Sequence, residues 1–131
     1  MGNPVILDTD VIIEYIKGNE QAVRFITENE GDTVFGTTAI NTFELYLGAQ
    51  HSPYKDKQLP KLDEFISQLL VLPLTLSASK RAAKIQGELQ RKGNSLDFKD
   101  LLIGALAIEE GFALKTNNRK HFERIPGLTL I

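Results

Sequence analysis

Five carboxylates carry the chemistry that this sequence can offer: Asp8, Asp10, Glu44, Asp97 and Asp100. Asp8 and Asp10 follow the apolar run Val5-Ile6-Leu7, where a buried strand would end and a turn begin. Either can cap the helix that follows, but one cap does not need two acids. Glu44 lies within an apolar helical segment, beside Phe43 and Leu45, and either reaches solvent along the helix flank or points into a site. Asp97 and Asp100 are one helical turn apart and can share a face, although the helix dipole favours acids in a first turn with or without a ligand. If Asp8, Glu44 and Asp97 or Asp100 converge, like charges at contact distance force some of them to take up protons. A divalent cation removes that conflict and brings a chemistry with it, the polarisation of a phosphoryl oxygen and the activation of water near neutral pH. An acidic pocket makes sense as a phosphodiester site only with such an ion included.

The composition restricts the ion. The chain has no cysteine and only two histidines, His51 and His121, so thiolate sites and zinc sites of three imidazoles are excluded. Oxygen donors call for a hard cation, Mg2+ or Mn2+. The net charge of −2 hides an asymmetry: residues 1–79 hold five Lys/Arg against eleven Asp/Glu, and residues 80–131 hold ten against six. A basic C-terminal part is compatible with a phosphate-bearing partner, and equally with a solvated helix face. At 131 residues and 42% hydrophobic, the chain reads as a single domain over residues 1–131. Its apolar stretches fall short of the roughly 18–20 residues that span a bilayer. Asp8 and Asp10 interrupt the first of them, so it does not read as a signal peptide, and the expected location is cytoplasmic.

The elements that must position these acids follow from periodicity. After the strand at residues 5–7, helical spacing covers 11–17 and about 20–28, and residues 33–36 read as a second strand. Thr38 can cap a helix whose inward face is Ile40, Phe43 and Leu47. Further helices are expected at about 57–70, 77–92 and 98–110, the last two stopped by Gly93 and Gly111. Gly104 would let the helix at 98–110 pack closely on the strand that ends at Asp8. Ala113-Leu114-Lys115 leads into a polar Thr116-Asn117-Asn118, and residues 128–131 read as a last strand. Short apolar strands alternating with amphipathic helices mean a parallel sheet with helices on its faces, which binds ligands at the carboxyl ends of its strands. Three such ends carry polar groups: Asp8 with Asp10, Thr37 with Thr38, and Thr116 with Asn117 and Asn118.

Four ordered segments resemble the PIN-domain ribonucleases, in particular toxins of the VapC type. "ILDTDVIIEYIKG" is similar to their first acidic motif, "TTAINTFELYLGAQ" to their second, "LQRKGNSLDFKDLLIGALAIEEG" to their third, and "LKTNNRKHFERIPGLTL" to their C-terminal strand and loop. The resemblance implies a three-layer α/β/α sandwich around a parallel sheet of about four to five strands. It implies an endoribonuclease that hydrolyses RNA phosphodiesters with Mg2+ or Mn2+, with Asp8, Glu44 and Asp100 as the acidic triad. Asp97 stands where many relatives have glycine, and a metal role for it rests on spacing alone. Asp10 would shape the turn, Thr116 would orient Asp8, and Asn118 falls where some relatives carry a fourth carboxylate. Lys99, Arg119 and Lys120 are candidate contacts to the RNA backbone. The implied partners are an RNA such as tRNA, a cognate VapB-type antitoxin and a second copy of the chain. Ile12, Tyr15, Ile16 and Tyr46 are candidates for the antitoxin's apolar groove, or for ordinary core. The alternative is a non-catalytic PIN domain that binds RNA or a protein without cutting, a reading that Asn118 favours.

Overall fold

Val5–Leu7 (β1) is wholly buried and pairs in parallel on both sides, with Phe35–Thr38 (β2) and with Ala113–Lys115 (β4). Leu70–Leu72 (β3) extends the sheet beyond β2, giving a four-stranded sheet of order β3-β2-β1-β4. These statements come from a computed structural model that describes residues 3–131. Side chains alternate across the pleat. Ile6 and Leu114 join one core cluster with Ala82, Ile85 and Leu89 of Leu76–Arg91 (α5), with Phe98–Glu110 (α6), and with Phe122 of Arg119–Phe122 (α7). Val5, Leu7 and Ala113 face the other way. They pack with Thr9–Ile16 (α1), Glu20–Asn29 (α2), Ala39–Gln50 (α3) and Lys55–Ile66 (α4). The result is three layers, α/β/α, as the alternation of strands and helices requires.

Several expectations from the sequence are corrected. The helix at 57–70 ends at Ile66, and the residues after it form β3, because an apolar run this short suits a helix or a strand and Gly36 supplies the partner backbone. The inward face of α3 is Asn41, Leu45 and Ala49, whereas Phe43 is 64% exposed and Leu47 lies open as well. The second strand lies two residues later than expected, so that Thr37 and Thr38 are inside it and buried. The last strand is reduced to one parallel bridge, Leu114 to Leu130, held by Leu114 N–H to Thr129 O at 2.9 Å and Ile131 N–H to Leu114 O at 3.1 Å. No helix among the described residues is long and apolar enough to cross a membrane.

Gly104 does allow a close approach, but to the C-terminal segment and not to β1. A Cβ there would stand 2.5 Å from Ile125 Cδ1 and 3.5 Å from Leu128 Cδ2. Ile125 is itself buried, so it has little room to yield. Gly104→Val is therefore expected to lower unfolding stability by about 1–3 kcal/mol through overpacking, outweighing the gain in helix propensity. Urea denaturation measures it, and an unchanged midpoint would show that the contact is slack.

Candidate active site

All four strands run in parallel, so the ends of β1, β2 and β4 meet at one edge of the sheet. Asp8 emerges there from the central strand, only 7% exposed. Its Oδ1 accepts from Thr9 N–H at 2.9 Å, which makes it the N-cap of α1. The same oxygen accepts from Asn41 Nδ2 at 2.9 Å, and Oδ2 accepts from Thr116 Oγ1 at 2.7 Å. The cap and the candidate site residue are thus one and the same. Capping consumes a single donor, and the two side-chain donors from β4's end and α3 fix the plane of the carboxylate.

Asn41 went unrecognised in the sequence. It is fully buried, and every hydrogen-bonding position of its amide is used. Oδ1 accepts from Thr38 N–H at 3.3 Å and from Thr38 Oγ1 at 2.7 Å, while Nδ2 donates to Asp8 Oδ1 and, at 3.0 Å, to Thr9 Oγ1. Asn41 N–H in turn donates to Thr38 Oγ1 at 3.2 Å, closing a capping box at the start of α3. The Thr-x-x-Asn spacing from Thr38 is the signal that marks it, a variant of the usual Thr-x-x-Glu. Thr9 Oγ1 passes the chain of bonds on, donating to Glu44 Oε1 at 3.0 Å. Glu44 therefore points along the edge toward α1 and not out to solvent. Its other oxygen lies 3.4 Å from Lys99 Nζ.

Asp100, in the first turn of α6, is half-buried. Burial raises its pKa above the ordinary carboxylate value and the charges of Asp8 and Asp97 add to this, while a hydrogen bond from His121 opposes it. His121 Nδ1 is 3.3 Å from Asp100 Oδ2 and 2.9 Å from Asn118 Nδ2, so the Asn118 side chain engages this imidazole. Asn118 N–H donates to Thr116 Oγ1 at 3.0 Å, which steadies the hydroxyl that holds Asp8. Asp10 is pushed up to about pKa 6 by burial and then by Asp8, against a hydrogen bond from Asn117 N–H. Its Oδ1 is buried with no hydrogen-bond partner.

The remaining candidates separate from this centre. Asp97 is exposed and caps α6 through Lys99 N–H at 2.8 Å; only its charge reaches Asp100. Arg119 donates to Ile131 O, and Lys120 is exposed one residue further along α7. Of the groove candidates, Ile12 is core, Tyr15 stacks on Phe65 at 4.7 Å between centroids, and Tyr46 donates to Asp63. Ile16 alone lines the cavity of about 310 Å³ that runs from Glu44 past Ile13, Leu45 and Leu62. Among the described residues no three His, Asp or Glu side chains are gathered closely enough to share one ion as they stand. Glu44 is held by Thr9 and Lys99, and Asp100 by His121.

The PIN-domain family model matches residues 5–128. The chain belongs to the PIN-domain family. It is 31% identical over 125 residues to Ribonuclease VapC2 of Haemophilus influenzae, covering 94% of this chain and 92% of that protein. It is 33% identical to the tRNA(fMet)-specific endonuclease VapC of Salmonella typhimurium, covering 95% and 94%. Among solved structures, the crystal structure of VapBC2 from Rickettsia felis bound to a promoter DNA fragment superposes with a TM-score of 0.90 at 29% identity, over 98% of this chain and 97% of that one. DNA-bound VapBC from Salmonella typhimurium superposes with a TM-score of 0.87 at 31% identity, over 99% and 98%. The PIN fold of these proteins is the fold described above.

Two tests follow from the geometry of this PIN domain. Asn41→Ala would strand Thr38 and remove a donor from Asp8, at a cost of about 1–3 kcal/mol in unfolding stability; equal stability would mean that water replaces the amide. Burial pushes the Asp10 pKa in the folded chain up to about 6, from 3.8 for a free side chain. Between those values the folded state holds more protons than the unfolded one, so this group's contribution to stability falls as pH rises through the window. Relative to Asp10→Asn, the metal-free parent should therefore lose about 1 kcal/mol from pH 4 to pH 7, a figure already reduced for the solvent that reaches the group. Parallel pH profiles of melting temperature for the two proteins would contradict the shift.

Proposed function

We propose that this single PIN domain is a metal-dependent endoribonuclease, the toxin of a type II toxin–antitoxin pair. The observation that carries the proposal is Asp8, fixed by Asn41 and Thr116 at the carboxyl edge of the sheet with Asp100 and Asp10 close enough to feel its charge. The donors fit a hard divalent cation: they are carboxylate oxygens, one of them, on Asp10, has no protein partner, and the Asp10 and Asp100 carboxyls are held above the ordinary carboxylate range by burial and by the charge of Asp8. Asp8 and Asp100 would hold the ion, with Glu44 completing the set once it turns from Lys99, and Asp97 at most an outer contact. When bound, such an ion supplies the positive charge that polarises a phosphoryl oxygen and makes water more acidic.

The chain's own residues do the rest. Thr116 and Asn41 keep both Asp8 oxygens aimed at the edge. Lys99, Arg119 and Lys120 offer cations to the RNA backbone on the side where α6 and α7 begin. In the proposed hydrolysis the oxygen of water forms a bond to phosphorus, the bond to the 3′ oxygen breaks, and that oxygen leaves with a proton as a 3′-hydroxyl. The names of the relatives support an RNA substrate, and the tRNA specificity of the Salmonella protein makes tRNA the pool to examine first. Structured RNAs offer splayed, readable bases in their loops.

The proposed partner is a VapB-type antitoxin, supported by the complexes that share this fold. The apolar cavity beside Glu44, lined by Ile13, Ile16 and Leu62, is the surface proposed for it. A homodimer is part of the same proposal, with exposed Leu70, Val71, Leu74 and Leu76 near the sheet edge as the apolar area in its favour. The proposed setting is the cytoplasm, where such an RNA is met.

Incubation of the purified chain with total tRNA tests the activity. Discrete fragments are expected with Mn2+ or Mg2+ and none with EDTA, and Asp100→Asn should reduce the rate by about a hundredfold or more. Salt-sensitive RNA binding with no cleavage under any metal condition would instead establish the non-catalytic reading. That reading draws on Asn118, whose amide meets His121 where a carboxylate would add charge.

A further inference from the structure

Lys99 is placed against electrostatic preference. It sits in the first turn of α6, the positive end of the helix dipole, where acids are favoured and a lysine is not. Its backbone is fixed, because Lys99 N–H donates to the capping Asp97 carboxylate at 2.8 Å. Its side chain leaves the helix to meet α3, bringing Nζ to 3.4 Å from Glu44 Oε2. The other Lys or Arg ion pairs among the described residues, Arg24 with Glu20 and Arg81 with Glu109, lie away from the cleft. Lys99 is thus the one Lys or Arg among the described residues that pairs with a cleft carboxylate.

We propose that Lys99 is the resident counter-ion of the cleft: its ammonium occupies Glu44 until a divalent cation displaces it, and it then takes up an RNA phosphate. The inference rests on the metal-dependent reading above and adds a coupling to it. Glu44 presents one oxygen to Thr9 and the other to Lys99, so an ion approaching that second oxygen meets the ammonium's positive charge until the lysine moves. The lysine can move, since its side chain is 43% exposed and a flexible four-carbon stem carries a single point charge. Once displaced, the ammonium stands at the same edge without Glu44 as its partner, and a phosphate would take that place. Metal and RNA would then tighten each other's binding by the same factor, as linkage requires.

Calorimetric titration with Mn2+ alone, in the absence of RNA, tests the first half. Lys99→Met should bind Mn2+ about two- to fivefold more tightly than the parent, the range expected when a half-exposed ion pair no longer competes. Lys99→Arg, which keeps the charge, should bind it no more tightly than the parent, and Lys92→Met, an equal charge change at the end of α5, should leave the affinity as it was. For the second half, anisotropy of a cleavage-resistant phosphorothioate RNA oligonucleotide should show Mn2+ tightening RNA binding by the parent and losing most of that effect with Lys99→Met. Unchanged or weaker Mn2+ binding by Lys99→Met overturns the counter-ion, as does an equal gain in Lys92→Met, which would reveal a diffuse field effect. Failure of every protein, parent included, to bind Mn2+ would overturn the metal-dependent reading itself.

Discussion

Two helices begin at the carboxyl edge of the sheet, α1 at Asp8 and α3 at Thr38, and the Asn41 amide ties both starts together. Its four hydrogen bonds are all made inside the protein, to Thr38, Asp8 and Thr9. In a low-dielectric setting such a network is either complete and rigid or costly, with little between. Completeness here has a directional consequence. The bonds run from Thr38 through Asn41 to Asp8 and, through the Thr9 hydroxyl, on to Glu44, so that two carboxylates from different elements are oriented by one buried side chain. Thr116, itself steadied by the Asn118 backbone N–H, closes the arrangement from the β4 side.

The charges so collected set the second constraint. Asp8, Asp10 and Asp100 cannot all be ionised without mutual cost, and the protein relieves that cost by the means at hand. Asp10 holds a proton up to about pH 6, Asp100 leans on His121, and Glu44 on Lys99. Among the described residues no three metal-competent side chains stand in one group: Glu44 is engaged by Thr9 and Lys99, and Asp100 by His121.

Much of this was legible in the residues. The apolar run before Asp8, the Thr-rich end of β2 and the Thr116-Asn117-Asn118 turn announced three strand ends, and parallel topology alone brings them to one edge. What periodicity missed has physical causes. The helix α3 carries apolar residues on both faces, and its inward face is led by an asparagine, because a fully bonded amide costs little to bury and Phe43 could be left outside. A polar residue at a core position is invisible to a hydrophobic pattern, and only the capping-box spacing from Thr38 identifies it. The strand β3 was hidden because Leu69 to Leu72 continues the apolar register of the helix before it. Gly104 signalled a close approach correctly, but a glycine does not name its neighbour, which is Ile125. Asp97 and Asp100 look equivalent by spacing; the backbone separates them, giving the first to the cap and the second to the cleft.

The most direct measurement is a crystal structure of the chain soaked with Mn2+, with the metal located by its anomalous scattering. The account predicts one strong peak at the carboxyl edge of the sheet, bonded to oxygens of both Asp8 and Asp100, with Glu44 released from Lys99. A fully occupied manganese at another place, or none at saturating Mn2+ in a protein that still cleaves RNA, would contradict it.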